Sequence, residues 1–298
     1  MTTHTSLHIP VLLHESIDGL AIVPGDTVVD GTFGGGGHSS MILSQYQDVS
    51  LICVDLDEAA EERYKTIIGL NKRAMFVRAN FKDVPAILAA ARKQSVDKVL
   101  LDLGTSTFQL LADTRGFSFQ SDAPLSMAFS VAGSHTGFSA WDIVNEWSEE
   151  SIADVIYAYG EDRSSRRIAR AIVEARTLAP IETASGLAGI IAGAFPRRGR
   201  IHPATKTFQA FRITVNDELA VLKEALDAWW QVLAPGGRIA VITFHSLEDR
   251  IVKQWMKAQT NERVITKKPI APSPQELQAN PRSRSAKLRI IEKNTTLV

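Results

Sequence analysis

Four consecutive glycines at residues 34–37 constrain this chain more than any other feature. They follow the apolar residues Val28 and Val29 and the acidic Asp30, and they precede a segment with helical character near 38–46. Glycine lacks Cβ, so a strand, a glycine loop and a helix in this order can turn tightly and admit a ligand beside the backbone. The pattern favours a nucleotide-type α/β fold, although a glycine run can also form only a tight turn.

Two carboxylates near this loop indicate which ligand it suits. Asp30, at the loop entrance, would repel a phosphate and attract a cation such as the ammonium or sulfonium of S-adenosylmethionine. Asp55, at the end of the next apolar run, can accept both hydroxyls of an adenosine ribose, in S-adenosylmethionine and in NAD alike. Because residues 34–37 lack the separated G-x-G-x-x-G spacing of dinucleotide-binding proteins, we predict S-adenosylmethionine as the cofactor.

Apolar runs alternate with helical patterns through the first third of the chain. The runs predict strands at 28–30, 51–55, 75–79 and 98–103. The segments between them predict helices near 38–46, 58–70 and 83–93. Such alternation indicates βαβ units and a parallel sheet, in which ligands bind at the carboxyl ends of the strands.

The alternation stops at about residue 108. Helices are predicted near 148–159, 164–177 and 184–195, without a strand. One long amphipathic helix is predicted over 208–233, a turn at 234–237, and renewed strands at 238–243 and 288–291 with a helix at 247–257 between them. We therefore predict a sheet domain in two parts, 1–107 and 206–298, and a helical insertion domain at 108–205 that recognises the substrate.

Composition narrows the class of protein. The chain is 45% hydrophobic and 22% charged, which is ordinary for a soluble globular protein. It has no apolar run near the roughly 18 residues that a membrane helix needs and no signal-like start, so we expect a cytoplasmic protein. The single cysteine, Cys53, excludes an internal disulfide, and no spacing of His, Cys and carboxylates predicts a metal site.

Positive charge is concentrated near the end of the chain. Although the net charge is zero, residues 250–298 hold 11 Lys or Arg and 3 Asp or Glu, a net charge of +8. This asymmetry is typical of a surface that meets phosphate, but a solvated basic tail has the same composition. The candidate RNA-binding residues are Arg282, Arg284, Lys287 and Arg289 in this segment, and Lys206 in a second basic patch.

Asp102 ends the fourth predicted strand and is the candidate catalytic residue. A carboxylate there would face the donor methyl group and an acceptor amine. The exocyclic amines of bases are weak nucleophiles, and a carboxylate can orient their hydrogens and favour the charge that develops on methylation. Asp102 could instead cap a turn, and Phe81, after the third strand, could pack on adenine or belong to the core.

Long ordered motifs resemble one family closely. They are HIPVLL (8–13), DGTFGGGGH (30–38), LDLG (101–104), RGFSF (115–119), YGE (159–161), HPATKTFQA (202–210), APGGR (234–238), FHSLEDRIVK (244–253) and NPRSRSAKLR (280–289). Together they resemble the bacterial 16S rRNA (cytosine-N(4))-methyltransferase family, known as RsmH or MraW. The resemblance covers about residues 8 to 293.

The resemblance implies a class I S-adenosylmethionine-dependent methyltransferase, with a Rossmann-like sheet and an inserted all-helical domain. It implies transfer of a methyl group to the N4 amine of a cytidine in the decoding region of 16S rRNA, within the assembled small ribosomal subunit, and it is compatible with a homodimer. The implied cofactor contacts are Gly36, Gly37, His38, Asp55, Phe81, Asp102 and Gln109, with Asp30 and Gly34 supporting the loop.

Residues 125–130, Leu-Ser-Met-Ala-Phe-Ser, depart from the family pattern, because two carboxylates and one guanidinium are missing together. The segment is either a variant loop whose ionic contacts were replaced as a set, or a change that alters substrate gating or weakens activity. The alternatives to the family activity are an amino-methyltransferase with another RNA site and a cofactor-binding ribosome-assembly factor with little or no turnover.

Overall fold

The computed structural model describes residues 9–104, 114–130, 134, 136–195 and 202–295. The chain divides into two compact units, a sheet unit of residues 1–107 and 219–298 and an insertion unit of residues 108–218. The predicted boundary after residue 205 falls at the start of the helix Thr205–Asn216, which belongs to the insertion unit. The insertion therefore extends to Glu218.

The sheet unit is built on one seven-stranded sheet. Its strands are β1 Thr27–Asp30, β2 Ser50–Asp55, β3 Ala74–Arg78, β4 Val96–Asp102, β5 Leu233–Thr243, β6 Glu262–Val264 and β7 Lys287–Lys293. Their order is β3-β2-β1-β4-β5-β7-β6, with β1 to β5 parallel and β7 antiparallel to both of its neighbours. The predicted parallel α/β sheet is confirmed.

Helices flank these strands and build the insertion. Before the insertion they are α1 Leu13–Leu20, α2 Gly37–Gln45, α3 Glu58–Ile67 and α4 Val84–Ala91. In the insertion they are α5 Ala140–Glu146, α6 Glu149–Gly160, α7 Ser165–Arg176, α8 Ala184–Gly193 and α9 Thr205–Asn216. After it they are α10 Glu218–Val232, α11 Ser246–Ala258, α12 Pro274–Ala279 and a 3₁₀ helix, Pro281–Ser285. In the described part of the chain, no helix is long and apolar enough to cross a membrane.

Both faces of the sheet are covered, because successive side chains of a strand point to opposite faces. Val29 and Leu101 pack in one buried cluster with α4, α10 and α11. Val28 and Leu100, the neighbouring positions, pack in another with α1, α2 and α3. This three-layer arrangement explains why all four residues of β1 are buried.

The insertion unit has its own apolar core, to which each of its five described helices contributes. Ile156, Ile168 and Phe211 are fully buried there. In its described residues there is no strand, and the one bridge, between Pro124 and Thr183, is isolated. The all-helical character predicted for this segment agrees with that observation.

The single helix predicted over 208–233 is wrong. The chain breaks at Asp217, whose backbone is left-handed at φ 49°, and α9 and α10 lie on either side of it. Asp is one of the few residues that adopt this conformation without large strain. The predicted turn at 234–237 lies inside β5 as a bulge, since Leu233 pairs with Val96 whereas Arg238 pairs with Lys98.

Candidate active site

Three carboxylates end three adjacent strands of the sheet. Asp30 ends β1, Asp55 ends β2 and Asp102 ends β4, and the strands lie in the order β2-β1-β4. The carboxyl ends of parallel strands meet at one edge, where α/β sheets bind ligands. The sheet therefore brings together the acidic residues that the sequence singled out.

Asp30 is buried and supports the glycine loop from inside. Only 1% of its surface is exposed, and its carboxylate accepts hydrogen bonds from Ser39 Oγ at 2.6 Å and from the Thr32 N–H at 3.3 Å. Burial raises its pKa to about 6, although these hydrogen bonds act to lower it. These contacts support the loop, so Asp30 would attract a cationic ligand through its charge and not through a direct contact.

Asp55 holds the start of the glycine loop. Its two oxygens accept the Gly34 N–H at 2.8 Å and the Asp57 N–H at 2.9 Å, while Arg63 Nε donates to the Gly34 carbonyl at 2.7 Å. Burial raises the pKa of Asp55 to about 6. Each carboxylate oxygen has two lone pairs, so each can still accept a ribose hydroxyl.

The last two glycines of the loop are required by close approach. Gly36 has φ 72°, and a Cβ there would lie 2.6 Å from the Phe33 ring. A Cβ on Gly37, the first residue of α2, would lie 2.0 Å from Pro10 Cγ. The bare backbone of these two glycines therefore packs directly against Phe33 and Pro10, where a side chain would not fit.

His38 lies in the first turn of α2 with 6% of its surface exposed. Its Nε2 is 3.2 Å from the Val11 carbonyl, so Nε2 carries the proton and donates it. Burial lowers the pKa of His38 to about 4, which leaves the ring neutral at pH 7. The lone pair on Nδ1 therefore lies on the side of Asp102, whose Oδ2 is 3.9 Å away.

Asp102 has the most unusual environment of the three carboxyls. Its N–H donates to Thr32 Oγ1 at 2.6 Å, and its side chain keeps 18% of its area exposed. Burial, and then the charges of Asp30 and Glu248, raise its pKa well above the usual range. Its Oδ1 is buried and has no hydrogen-bond partner among the described residues.

A buried polar atom without a partner needs a donor. An unsatisfied carboxyl oxygen beside a turn free of Cβ atoms fits a ligand that brings an ammonium or amine group. These features suit S-adenosylmethionine and an amine acceptor.

Two other predicted contacts have different outcomes. Phe81 packs against the cluster that contains Leu101, and its carbonyl accepts the Trp229 indole N–H at 2.8 Å. Its ring is partly buried, so its contact with adenine stays a prediction. Gln109 lies outside the described residues.

The predicted RNA-binding residues differ in their exposure and in their ion pairs. Arg282 and Arg284 are exposed on the 3₁₀ helix. Lys287 and Arg289 instead bind Asp249, at 3.0 and 2.7 Å. Although burial opposes it, these two cations hold the pKa of Asp249 below its usual range.

The prediction for Arg289 is corrected by its burial. Only 5% of its surface is exposed, so its guanidinium belongs to an internal ion pair and has no face for phosphate. A sequence cannot separate it from Arg282 and Arg284, because the three share one basic segment.

Sequence reasoning missed the polar residues that fix these carboxyls. Thr32 accepts the N–H of Asp102, and Ser39 donates to the Asp30 carboxylate. Of these two contacts, the sequence signals only that of Thr32, which lies between Asp30 and the glycines. Glu248 accepts the N–H groups of Phe244 and His245 at the start of α11. Its charge reaches Asp102, and nothing local in the sequence signals that effect.

The variant segment 125–130 is anchored within the insertion unit. Met127 donates its N–H to the Arg115 carbonyl at 2.7 Å, and Asn216 bonds the Met127 carbonyl and the Phe129 N–H, at 2.7 and 2.9 Å. Leu125 and Met127 are buried. These contacts hold the segment in place, and whether it alters substrate gating stays a prediction.

A model of the MraW methylase family matches residues 5–294. The chain belongs to this family. Family membership and the sheet order together give a class I methyltransferase that uses S-adenosylmethionine. The implied fold, cofactor and enzyme class are confirmed.

Relatives called ribosomal RNA small subunit methyltransferase H align over nearly their whole length. The Deinococcus deserti protein is 47% identical over 293 residues, covering 98% of this chain and 95% of its own. The Brevibacillus brevis protein is 45% identical over 316 residues, covering 98% and 100%.

Two solved structures also align with the chain. An rRNA methylase from Streptococcus thermophilus has 11% identity and a TM-score of 0.46, covering 96% of this chain and 98% of its own. A Streptococcus mutans methyltransferase in complex with SAH has 12% identity and a TM-score of 0.46, covering 96% and 99%.

Proposed function

We propose that this methyltransferase transfers a methyl group to the exocyclic N4 amine of a cytidine in 16S rRNA of the small ribosomal subunit. The observation that carries the proposal is the buried Oδ1 of Asp102, which has no partner among the described residues and lies at the edge of the sheet beside the glycine loop. The names of the relatives support ribosomal RNA of the small subunit as the substrate.

S-adenosylmethionine supplies an electrophilic methyl group when it is bound. The chain supplies the loop of Gly34, Gly36 and Gly37, whose bare backbone admits the donor, and the Asp55 carboxylate for its ribose. His38 contributes a neutral ring near Asp102, so it would add no positive charge that repels a cationic donor.

Asp102 acts on the acceptor amine. The amine lone pair is delocalised into the cytosine ring, so a carboxylate that accepts an amine hydrogen favours the pyramidal, partly positive nitrogen of the transition state. The raised pKa of Asp102 makes its carboxylate a better proton acceptor once the nitrogen is cationic. Asp102 can therefore orient the amine and receive its proton.

RNA would meet the protein through phosphate contacts and an unstacked base. Arg282, Arg284, Lys267 and Lys268 are exposed and can position the phosphate backbone. The target amine is inaccessible inside a helical stack, so the cytidine must leave it.

The test uses labelled S-adenosylmethionine and small subunits from a strain that lacks the modification. After incubation the rRNA is digested and the labelled nucleoside identified, with N4-methylcytidine expected. Label in another nucleoside would assign another RNA site. Cofactor binding without transfer would favour the assembly-factor alternative.

The Asp102→Asn variant tests the carboxylate itself. The amide keeps the shape but removes the charge and the proton acceptor, so we expect kcat to fall at least tenfold, about 1.4 kcal/mol, while the Kd for small subunits stays within about twofold. Single-turnover kinetics and subunit binding measure the two effects. Equal losses in both would contradict a role at the methyl-transfer centre.

A further inference from the structure

The insertion unit carries a run of exposed arginines that no predicted site uses. Arg163 lies in the turn before α7, and the others lie in the first half of that helix. They are Arg163, Arg166, Arg167 and Arg170. Ile168 and Ile172 of the same helix are fully buried, so α7 is apolar on one face and basic on the other.

The arginines differ in what they bind. Arg170 Nε lies 3.6 Å from Glu149 Oε1, an exposed pair worth little energy. The Arg167 guanidinium lies 5.3 Å from the centre of the Phe195 ring. Arg163 and Arg166 have neither an ion pair nor a hydrogen bond from their side chains among the described residues. Their charges are available to a partner.

Lys206 holds a third positive charge at the same turn. Its Nζ donates to the Glu161 carbonyl at 2.9 Å, two residues before Arg163. Gln209, on the same helix, donates to the Tyr159 carbonyl at 3.0 Å, so two bonds fasten α9 to the end of α6. The backbones also approach closely, because a Cβ on Gly160 would lie 2.8 Å from the Lys206 carbonyl oxygen.

We call Arg163, Arg166 and Lys206 the basic corner. Helix stability does not account for its arginines, since cations near a helix N-terminus oppose the helix dipole and the first turn of α7 contains no acidic residue. Its acidic neighbours are Glu161, which is exposed, and Asp162, whose carboxylate accepts the Ser164 N–H at 2.8 Å. Residues that violate a local rule without a stabilising gain point to function.

We propose that the basic corner contacts the phosphate backbone of the RNA substrate. This inference rests on the proposed function and assigns part of RNA binding to the insertion unit. Arginine presents a planar fork that matches a phosphate, and lysine adds a point charge. Such contacts position RNA without reading its bases, and they weaken steeply with salt.

The test is the double variant Arg163→Ala/Arg166→Ala in the full-length enzyme. Each lost phosphate contact lowers the slope of log Kd against log salt by about one, so we expect the slope for small subunits to fall by about two. The KM for subunits should rise about tenfold or more at low salt, which corresponds to about 1.4 kcal/mol. The kcat at saturating subunits and the Kd for S-adenosylmethionine should not change.

The matched control is Lys72→Ala/Lys223→Ala. Both lysines are exposed in the sheet unit without a side-chain partner among the described residues, and the control removes the same net charge. We expect its slope and KM to equal those of the wild type. Equal effects in the two double variants would overturn the proposal, because net charge and not contact would then be responsible.

Binding to naked 16S rRNA identifies the partner. If the arginine variant loses affinity for subunits but not for naked rRNA, the corner binds a ribosomal protein and the proposal is wrong. A wild-type enzyme that labels no cytidine would instead refute the proposed function, a result that requires no variant.

Discussion

At the scale of single residues, Thr32 connects the carboxylate of Asp30 with the backbone of Asp102. Its N–H donates to Asp30, and its hydroxyl oxygen accepts the N–H of Asp102. The backbone of the glycine loop is thereby tied to the end of β4, where Asp102 Oδ1 has no hydrogen-bond partner in the part of the chain that the structure describes. The position of that oxygen depends on a side chain that takes no part in the chemistry.

Replacing Thr32 by Val should misplace Asp102. The Asp102 N–H would lose its acceptor, at a cost of about 1–3 kcal/mol in stability, and we expect kcat to fall about tenfold or more with a smaller change in the Kd for S-adenosylmethionine. Thr32→Ser keeps the hydroxyl and should restore kcat. Kinetics at saturating substrate measure kcat, and calorimetry measures the Kd for S-adenosylmethionine.

The control is Thr266→Val. Thr266 Oγ1 also accepts a strand N–H, that of Ile290 at 2.8 Å, but it lies beside the antiparallel edge of the sheet. Its loss should lower stability without lowering kcat. If both valine variants lose kcat in proportion to stability, Thr32 has no positioning role.

His38 should make stability depend on pH. Its pKa is about 4 in the folded protein, below its ordinary value of 6.5, so between these two pH values the unfolded chain binds more protons and stability rises with pH. The contribution, about 3 kcal/mol, is present above pH 6.5 and is lost as the pH falls through 4.

Asp30 acts in the opposite direction, because its pKa is raised to about 6 in the folded protein. The informative quantity is therefore the stability difference between the wild type and His38→Gln, in which the amide can still donate to the Val11 carbonyl. Urea unfolding at several pH values should show that the wild type loses more stability than the variant as the pH falls from 7 to 4. A difference independent of pH would contradict a buried neutral His38.

The sequence predicts the identities of these acidic residues but not their environments. Asp30, Asp55 and Asp102 are recognisable because each ends an apolar run. The bond from Ser39 to Asp30 and the charge of Glu248 arise only when α2 and α11 pack on the sheet. Arg289 was misassigned for the same reason, since its partner Asp249 is distant in sequence.

At the scale of elements, the junction of the glycine loop with α2 is the most tightly packed part of the site. A Cβ on Gly37 would overlap the Pro10 ring. The helix can accept a side chain there only if α2 or the segment around Pro10 moves. Either movement would shift His38 and the loop together.

Gly37→Ala should therefore weaken cofactor binding tenfold or more and lower stability by about 1–3 kcal/mol. The matched substitution is Gly189→Ala in α8, where nothing lies within 4 Å of the added methyl group. It should raise stability by up to about 1 kcal/mol, since alanine favours helix. Calorimetry measures cofactor binding by both variants, and thermal unfolding measures their stability. An unaffected Kd in Gly37→Ala would show that the loop tolerates the displacement.

Elements with strong periodicity were predictable, and breaks within a periodicity were not. The strands through β5 follow from apolar runs bounded by polar residues. The break at Asp217 was missed because α9 and α10 both bury apolar faces, so their spacing reads as one helix. Whether the chain bends at one Asp depends on the packing of both helices.

At the scale of the whole molecule, two cores are built from separate sets of residues. The core of the insertion unit is formed within residues 117–215, and no residue of the sheet belongs to it. We expect the fragment 108–218 to fold alone, because its length lies within the range of independent domains. Circular dichroism should show helix and a cooperative thermal transition. Helix that melts gradually would mean that this core needs the sheet unit.

The pairing of β4 with β5 has a consequence for synthesis. These hydrogen-bonded neighbours are separated by residues 103–232, which the ribosome must deliver first. At ~5–20 residues per second, on the order of ten seconds pass between the two strands. During that interval β4 is an open edge, a template for wrong pairing, while the insertion emerges with a core of its own. The insertion thus sets the delay with which the catalytic sheet can close.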